Sequence, residues 1–160
     1  MDCWKPDSCD YFIDYQNLYT HLGVQSVRGT FVSCAKAFMD AGSSERALEM
    51  LDKSMEVMAH YPLEAIPIGF SGNDYVVVEM IDLYYRLGQE DKARNLASQL
   101  ASELLVTARF YLEYYEFAKD DFEMAGNYIY CLADTLKDTP DKELGEKLVQ
   151  SFTALVKGSD

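Results

Sequence analysis

Residues 31–58, FVSCAKAFMDAGSSERALEMLDKSMEVM, are echoed 46 positions later by residues 77–104, VVEMIDLYYRLGQEDKARNLASQLASEL. Phe31, Cys34, Ala35, Phe38, Met39, Gly42, Ala47 and Leu51 correspond to Val77, Met80, Ile81, Tyr84, Tyr85, Gly88, Ala93 and Ala97. Each copy carries apolar residues at i, i+3, i+4, i+7 and i+8, then a Gly, then a small residue that opens a second apolar-periodic run. That order describes two antiparallel helices joined by a tight reversal. Gly suits the reversal because, lacking a Cβ, it enters the left-handed region without strain, and Ala suits the point where two helices cross closely. The pattern predicts an all-α fold of antiparallel helix pairs stacked as a short superhelix, with extra C-terminal helices.

The flanking punctuation sets the boundaries. A clean apolar face from Val27 to Ala41 stops at Gly42; Ser43 or Ser44 caps a second helix reaching about Ala59, with Ala47, Met50, Leu51, Ser54 and Met58 inward. Asp74 caps a third helix from Tyr75 to Leu87, and a fourth begins after Gly88, so the two pairs occupy residues 27–59 and 74–105. Between them residues 60–73 form a long loop with two Pro and two Gly, whose Leu63, Ile66, Ile68 and Phe70 favour packing down over the repeat ends. With no Gly or Pro between Gly88 and Gly126, the pattern leaves open whether residues 89–118 form one helix or two. Asp120-Asp121-Phe122-Glu123 reads as a helix start, followed by a stripe of Phe122, Ala125, Ile129, Leu132, Ala133 and Leu136. Thr139-Pro140-Asp141 restarts the chain with Pro at the first helical position, and Leu144, Leu148, Phe152 and Leu155 make the inward face of a last helix. Residues 1–26 read as an aromatic-rich leader with one short helix, and residues 27–157 as the helical domain.

Composition narrows the function classes. With 27 acidic and 14 basic residues, the net charge of −13 repels phosphate backbones and anionic lipid, so nucleic acid is not an expected partner. No apolar run approaches the roughly 20 residues that span a bilayer, and Met1 to Pro6 does not begin a signal peptide. Cys34, on the apolar face of the first repeat, and Cys131, in the run Ile129 to Ala133, read as core or boundary residues. Cys3 and Cys9 could pair in an exported chain, but their spacing with no nearby His is not a zinc spacing. Neither a metal site nor a cofactor is expected. Gly69-Phe70-Ser71-Gly72-Asn73 misses the nucleophile elbow at its fifth position, and its surroundings are helical. The acids Glu113, Glu116, Asp120 and Asp121 suit a solvated helix face better than a catalytic pair, and His21 and His60 are the two histidines of the chain.

The spacings Phe38-Gly42-Ala47 and Tyr84-Gly88-Ala93 resemble the tetratricopeptide repeat, with an aromatic near the end of its first helix, a Gly four later and an Ala five after that. The resemblance implies a concave surface lined by the first helix of each pair. Its outward positions would be Val32, Lys36, Met39 and Asp40, then Tyr75, Val78, Asp82, Tyr85 and Arg86. Val32, Lys36, Met39, Tyr75, Val78, Tyr85 and Arg86 are the candidate partner-binding groove. The Lys, Arg and Asn cluster with which that family clamps a peptide carboxylate is missing here, which argues against a receptor for chaperone tails. Three stretches, Tyr11 to Leu18, His60 to Asp74 and Phe110 to Asp120, look like the C-terminal soluble domain of a bacterial family of multi-pass membrane proteins of unknown function, similar to protein O-mannosyltransferase-type glycosyltransferases. That resemblance implies a tetratricopeptide-like appendage on the extracytoplasmic side of the bacterial inner membrane, the catalytic part lying outside this chain.

The expected function is a non-catalytic interaction or scaffold domain. Its partner would be a protein or peptide, such as the membrane glycosyltransferase module or its acceptor. A free-standing cytoplasmic adaptor binding peptides in the groove is the alternative.

Overall fold

The computed structural model describes residues 23–57, 59 and 75–158, and among them every regular element is an α-helix. The helices are α1 (Gly23–Asp40), α2 (Ser44–Val57), α3 (Val76–Arg86), α4 (Glu90–Glu113), α5 (Tyr115–Leu136) and α6 (Lys142–Lys157). Helices occupy both copies of the repeat, and α4 runs to Glu113, eight residues past the limit of 105 expected for the second pair. The leader, the loop at 60–73, the cap at Asp74, Met58, both histidines and the Cys3/Cys9 pair fall outside the described residues. The chain divides into two compact units, residues 1–76 and 77–160.

In the first unit α1 packs on α2 through the reversal at Gly42. The Gly42 N–H donates to the Met39 carbonyl at 2.9 Å and the Ser43 N–H to the Phe38 carbonyl at 2.8 Å, the two bonds of a Schellman closure. Ser43 then takes the N-cap position, its carbonyl accepting from the Ala47 N–H at 3.1 Å. Ala35, Ala47, Leu51 and Ser54 are fully enclosed. On α1 the buried stripe is Arg28, Val32 and Ala35, at i, i+4 and i+7. Cys34 lies one residue off that stripe, about 100° around the helix, and is exposed rather than in the core.

The second unit repeats the closure. The Gly88 N–H donates to the Tyr85 carbonyl at 2.9 Å and the Gln89 N–H to the Tyr84 carbonyl at 2.8 Å, while the Ala93 N–H reaches the Gln89 carbonyl at 3.0 Å. Gly42 and Gly88 have φ of 74° and 71°, the positive angles among the described residues. A further correspondence joins the copies: the Arg46 guanidinium lies over the Phe38 ring at 5.8 Å and the Lys92 ammonium over the Tyr84 ring at 5.9 Å. Both cations stand eight residues beyond their aromatic, so each spans the reversal and rests on the helix before it.

The C-terminal half answers the question left open at 89–118. α4 runs unbroken to Glu113, Tyr114 leaves helical geometry at φ −114° and ψ 28°, and α5 starts at once. Inside α5, Ala118 is non-helical at φ −126° and ψ 31°. The helix start expected at Asp120 is therefore displaced to Tyr115, with the regular part of α5 resuming after Ala118. α6 packs on both α4 and α5. At the α5–α6 crossing, a Cβ on Gly145 would lie 3.1 Å from the Ala133 Cα, and one on Gly126 would lie 3.0 Å from the Phe152 ring tip. Leu132, Leu136, Leu148 and Phe152 fill the space between the two helices. α6 begins at Lys142, two residues later than a Pro140 start: Thr139 closes a turn over residues 139–142, its hydroxyl accepting from the Asp141 N–H at 3.2 Å and its carbonyl from the Lys142 N–H at 3.3 Å, and Asp141 takes the N-cap position without a side-chain cap.

Candidate functional site

The expected groove residues are divided between the two units. On α1, Val32 is 1% exposed while Lys36 and Met39 are half-buried, and Tyr75 is half-buried just before α3. On α3, Val78 is 3% exposed, Tyr85 is half-buried and Arg86 is exposed. Val32 and Val78 are thus interior side chains rather than surface ones. The reason is plain on α3, where Val76, Val77, Val78, Met80, Ile81, Leu83 and Tyr84 are all buried: a helix apolar on nearly every side is enclosed on nearly every side. Arg86 stays near its own helix, with Nη1 3.5 Å from the Asp82 carboxylate.

Tyr85 belongs to a polar cluster that ties three elements together. Its hydroxyl donates to one Asp141 oxygen at 2.7 Å, and Arg94 Nε donates to the other at 2.6 Å. A second Arg94 nitrogen reaches Asp91 at 3.0 Å. Asp141 keeps 12% of its side-chain surface exposed, whereas Arg94 keeps 45%. Burial pushes the Tyr85 hydroxyl up to about 12, helped by its bond to the Asp141 carboxylate. Burial also pushes the Asp141 carboxyl up, but the hydrogen bonds from Arg94 and Tyr85 and the Arg94 charge outweigh it and hold the group below the ordinary carboxylate range. Both Asp141 oxygens thus accept from the α3–α4 hairpin, which fastens the loop before α6 to it.

A different surface stands out on the second unit. Val106, Phe110 and Tyr114 repeat every four residues along α4 and are 68%, 55% and 51% exposed, and Phe117 beyond the break is 89% exposed. Phe110 and Tyr114 lie 5.0 Å apart by ring centroids. Tyr115 turns the other way, edge-on to Phe122 at 5.6 Å, and Phe122 continues to Phe152 and on to Tyr130. Of this chain of rings Phe122 and Phe152 are buried, while Tyr115 and Tyr130 at its two ends keep 40% and 51% of their surface exposed.

Interleaved with these aromatics in sequence or just beyond them, Glu113, Glu116, Asp120 and Asp121 form no ion pair among the described residues, whereas Lys119 is 3.7 Å from Glu123. Burial and the neighbouring Asp120 charge push the Asp121 carboxyl up. Elsewhere, a shallow depression of about 360 Å³ lies against Ala133, Gly145 and Val149, with Lys137 and Lys142 at its rim. Both lysines are already engaged, by Asp134 at 2.8 Å and Glu146 at 3.4 Å, so the depression offers no free cation to an anionic ligand. Cys131 is partly buried, and burial, then the charges of Asp134 and Glu79, push its thiol up and make it a poor nucleophile. Among the described residues no three His, Cys, Asp or Glu side chains gather to hold a metal ion.

Comparison with known proteins finds no match to a protein family, to a curated protein or to a solved structure. Among the described residues no helix is long and apolar enough to cross a membrane.

Proposed function

We propose that this chain is a non-catalytic interaction domain, which holds a protein partner beside a membrane glycosyltransferase-like module on the extracytoplasmic side of the bacterial inner membrane. The carrying observation is the exposed aromatic face of Val106, Phe110, Tyr114 and Phe117, set on helices whose interiors are otherwise well filled. Large aromatics left in water at a helix junction favour binding over chemistry, because burying each ring against a partner recovers apolar area that folding left exposed. The titratable cluster at Tyr85, Arg94 and Asp141 supports the same reading, since Tyr85 and Arg94 spend hydrogen bonds on Asp141. The membrane setting rests on the resemblance of Phe110 to Asp120 and its companion stretches, and it calls for membrane spans encoded beside this domain.

Site-specific photocrosslinking from position 117 in cells, with position 150 on the exposed side of α6 as the control, tests the proposal. Capture of a membrane glycosyltransferase module or its acceptor from position 117 alone is the expected result. Capture of cytosolic proteins alone favours a free-standing adaptor, and equal yields from both positions count against an interaction face at the α4–α5 junction.

A further inference from the structure

We infer that the α4–α5 face receives a basic amphipathic segment of the partner protein; this rests on the interaction-domain reading and names the partner's chemistry. Three features converge on it. The face is apolar where it is exposed: Val106 and Phe110 lie one turn apart on α4, the Tyr114 ring at its C-terminal cap sits 5.0 Å from that of Phe110, and the 89% exposed Phe117 follows three residues later. A partner must therefore bring apolar side chains at a matching helical spacing.

The sequence around these aromatics carries an excess of acids. Glu113, Glu116, Asp120 and Asp121 have no ion pair among the described residues, Lys119 is taken by Glu123, and Arg109 is the one cation nearby without a pairing. Asp120 and Asp121 are adjacent carboxylates with no cation paired to either among the described residues, and a cation seated beside them would offset their mutual repulsion, which adds to burial in pushing the Asp121 carboxyl up. Exposed aromatic rings add their own attraction for an ammonium or guanidinium, a contact this chain already makes with Arg46 over Phe38 and Lys92 over Tyr84.

Charge then separates the possible occupants. A second copy brings another −13 to a surface that is itself acidic, and anionic lipid is repelled in the same way. A neutral apolar segment gains burial alone. A basic amphipathic segment gains burial at the rings and attraction to the acids together.

Isothermal titration of the full chain with three helical peptides of identical apolar face, bearing Lys, Gln or Glu on the polar face, tests the inference. The Lys peptide should bind about tenfold tighter than the Gln peptide, and the Glu peptide weakest. A joint Phe110→Ser and Phe117→Ser variant should lose about tenfold in affinity for the Lys peptide. Both sites are exposed, so its thermal unfolding should match that of the parent chain. Glu113→Lys with Glu116→Lys should shrink or invert the preference among the peptides.

Equal affinity for the Lys and Gln peptides overturns the basic chemistry while leaving an interaction face in place. An undiminished Lys affinity in the double Ser variant overturns the site, because the attraction would then come from the chain's general acidity. Dimerisation, or sedimentation with phosphatidylcholine vesicles, that the double Ser variant abolishes also overturns it, in favour of a second copy or a lipid surface. Photocrosslinking to a partner with no basic segment leaves the interaction domain standing and removes this inference alone.

Discussion

At φ of 74° and 71°, Gly42 and Gly88 adopt a conformation that costs an L-residue energy through its own Cβ, yet a Cβ at either site would meet nothing within 4 Å. Steric crowding is thus absent and only the backbone penalty remains. Gly42→Ala and Gly88→Ala should each lower unfolding stability by about 1 kcal/mol, and Asn at the same sites should recover part of the loss. Denaturant titration of the four variants checks this. These two residues were legible in sequence because a turn closes over six consecutive residues and leaves its mark locally. The Tyr85–Arg94–Asp141 cluster was not, since Arg94 and Asp141 are 47 positions apart and nothing near Asp141 signals that its carboxylate will leave its own helix N-terminus. Tyr85→Phe should cost about 1 kcal/mol near neutral pH, at the low end for a bond to a charged acceptor because the site is only part-buried. The folded-state value of the hydroxyl is raised to about 12, so this contribution is complete below the ordinary tyrosine value near 10 and lost as pH climbs from there through about 12. The gap between parent and variant, followed by unfolding at a series of pH values, should close in that window. The Asp141 carboxyl is lowered, so its contribution is complete above the ordinary value near 4 and disappears as pH falls below it; the gap to Asp141→Asn should vanish there.

Among the elements, the α5–α6 crossing separates two glycines that look alike in sequence. Ala is favoured over Gly inside a helix by about 1 kcal/mol, so either substitution begins with a gain. At Gly145 the new methyl would stand 3.1 Å from the Ala133 Cα and 3.2 Å from its carbonyl oxygen, helix backbone that moves only if the whole crossing opens. Gly145→Ala should therefore be net destabilising, by about 1 kcal/mol after the helix gain. At Gly126 the obstacle is the tip of the Phe152 ring, a side chain able to tilt, and Gly126→Ala should stay near neutral. Thermal unfolding of the two variants side by side reads the difference. The stripe from Phe122 to Leu136 was readable because the 3.6-residue period survives in a helix packed on one face. The break at Tyr114 and Ala118 was not, because neither residue is a Gly or Pro. Val78 shows the same limit, because a one-face period does not signal a helix buried on nearly every side, whereas Val32 lies on the buried stripe of α1 with Arg28 and Ala35, rotated from the face that Phe31 and Cys34 marked in the sequence.

For the chain as a whole, an excess of 13 acidic charges means that the folded state carries a self-repulsion which dissolved ions screen. Raising ionic strength from about 20 to 200 mM should raise the unfolding temperature, with most of the gain at the low end as the Debye length contracts. A fall with salt would mean that the exposed Lys–Glu and Lys–Asp pairs outweigh the repulsion, against their small individual worth. The all-helical fold could be read at this scale from a pattern of side-chain types. The candidate surface could not, because the block Phe110 to Phe117 fits a buried stripe as well as an exposed one. The interrupted geometry at Tyr114 and Ala118 has one more outcome. Chymotrypsin prefers aromatic residues and must draw the chain out of a helix to cut it; Phe117 is aromatic, 89% exposed and already followed by a non-helical residue. Within residues 77–158, the first nick under limiting enzyme should fall after Phe117, and a bound partner should delay it.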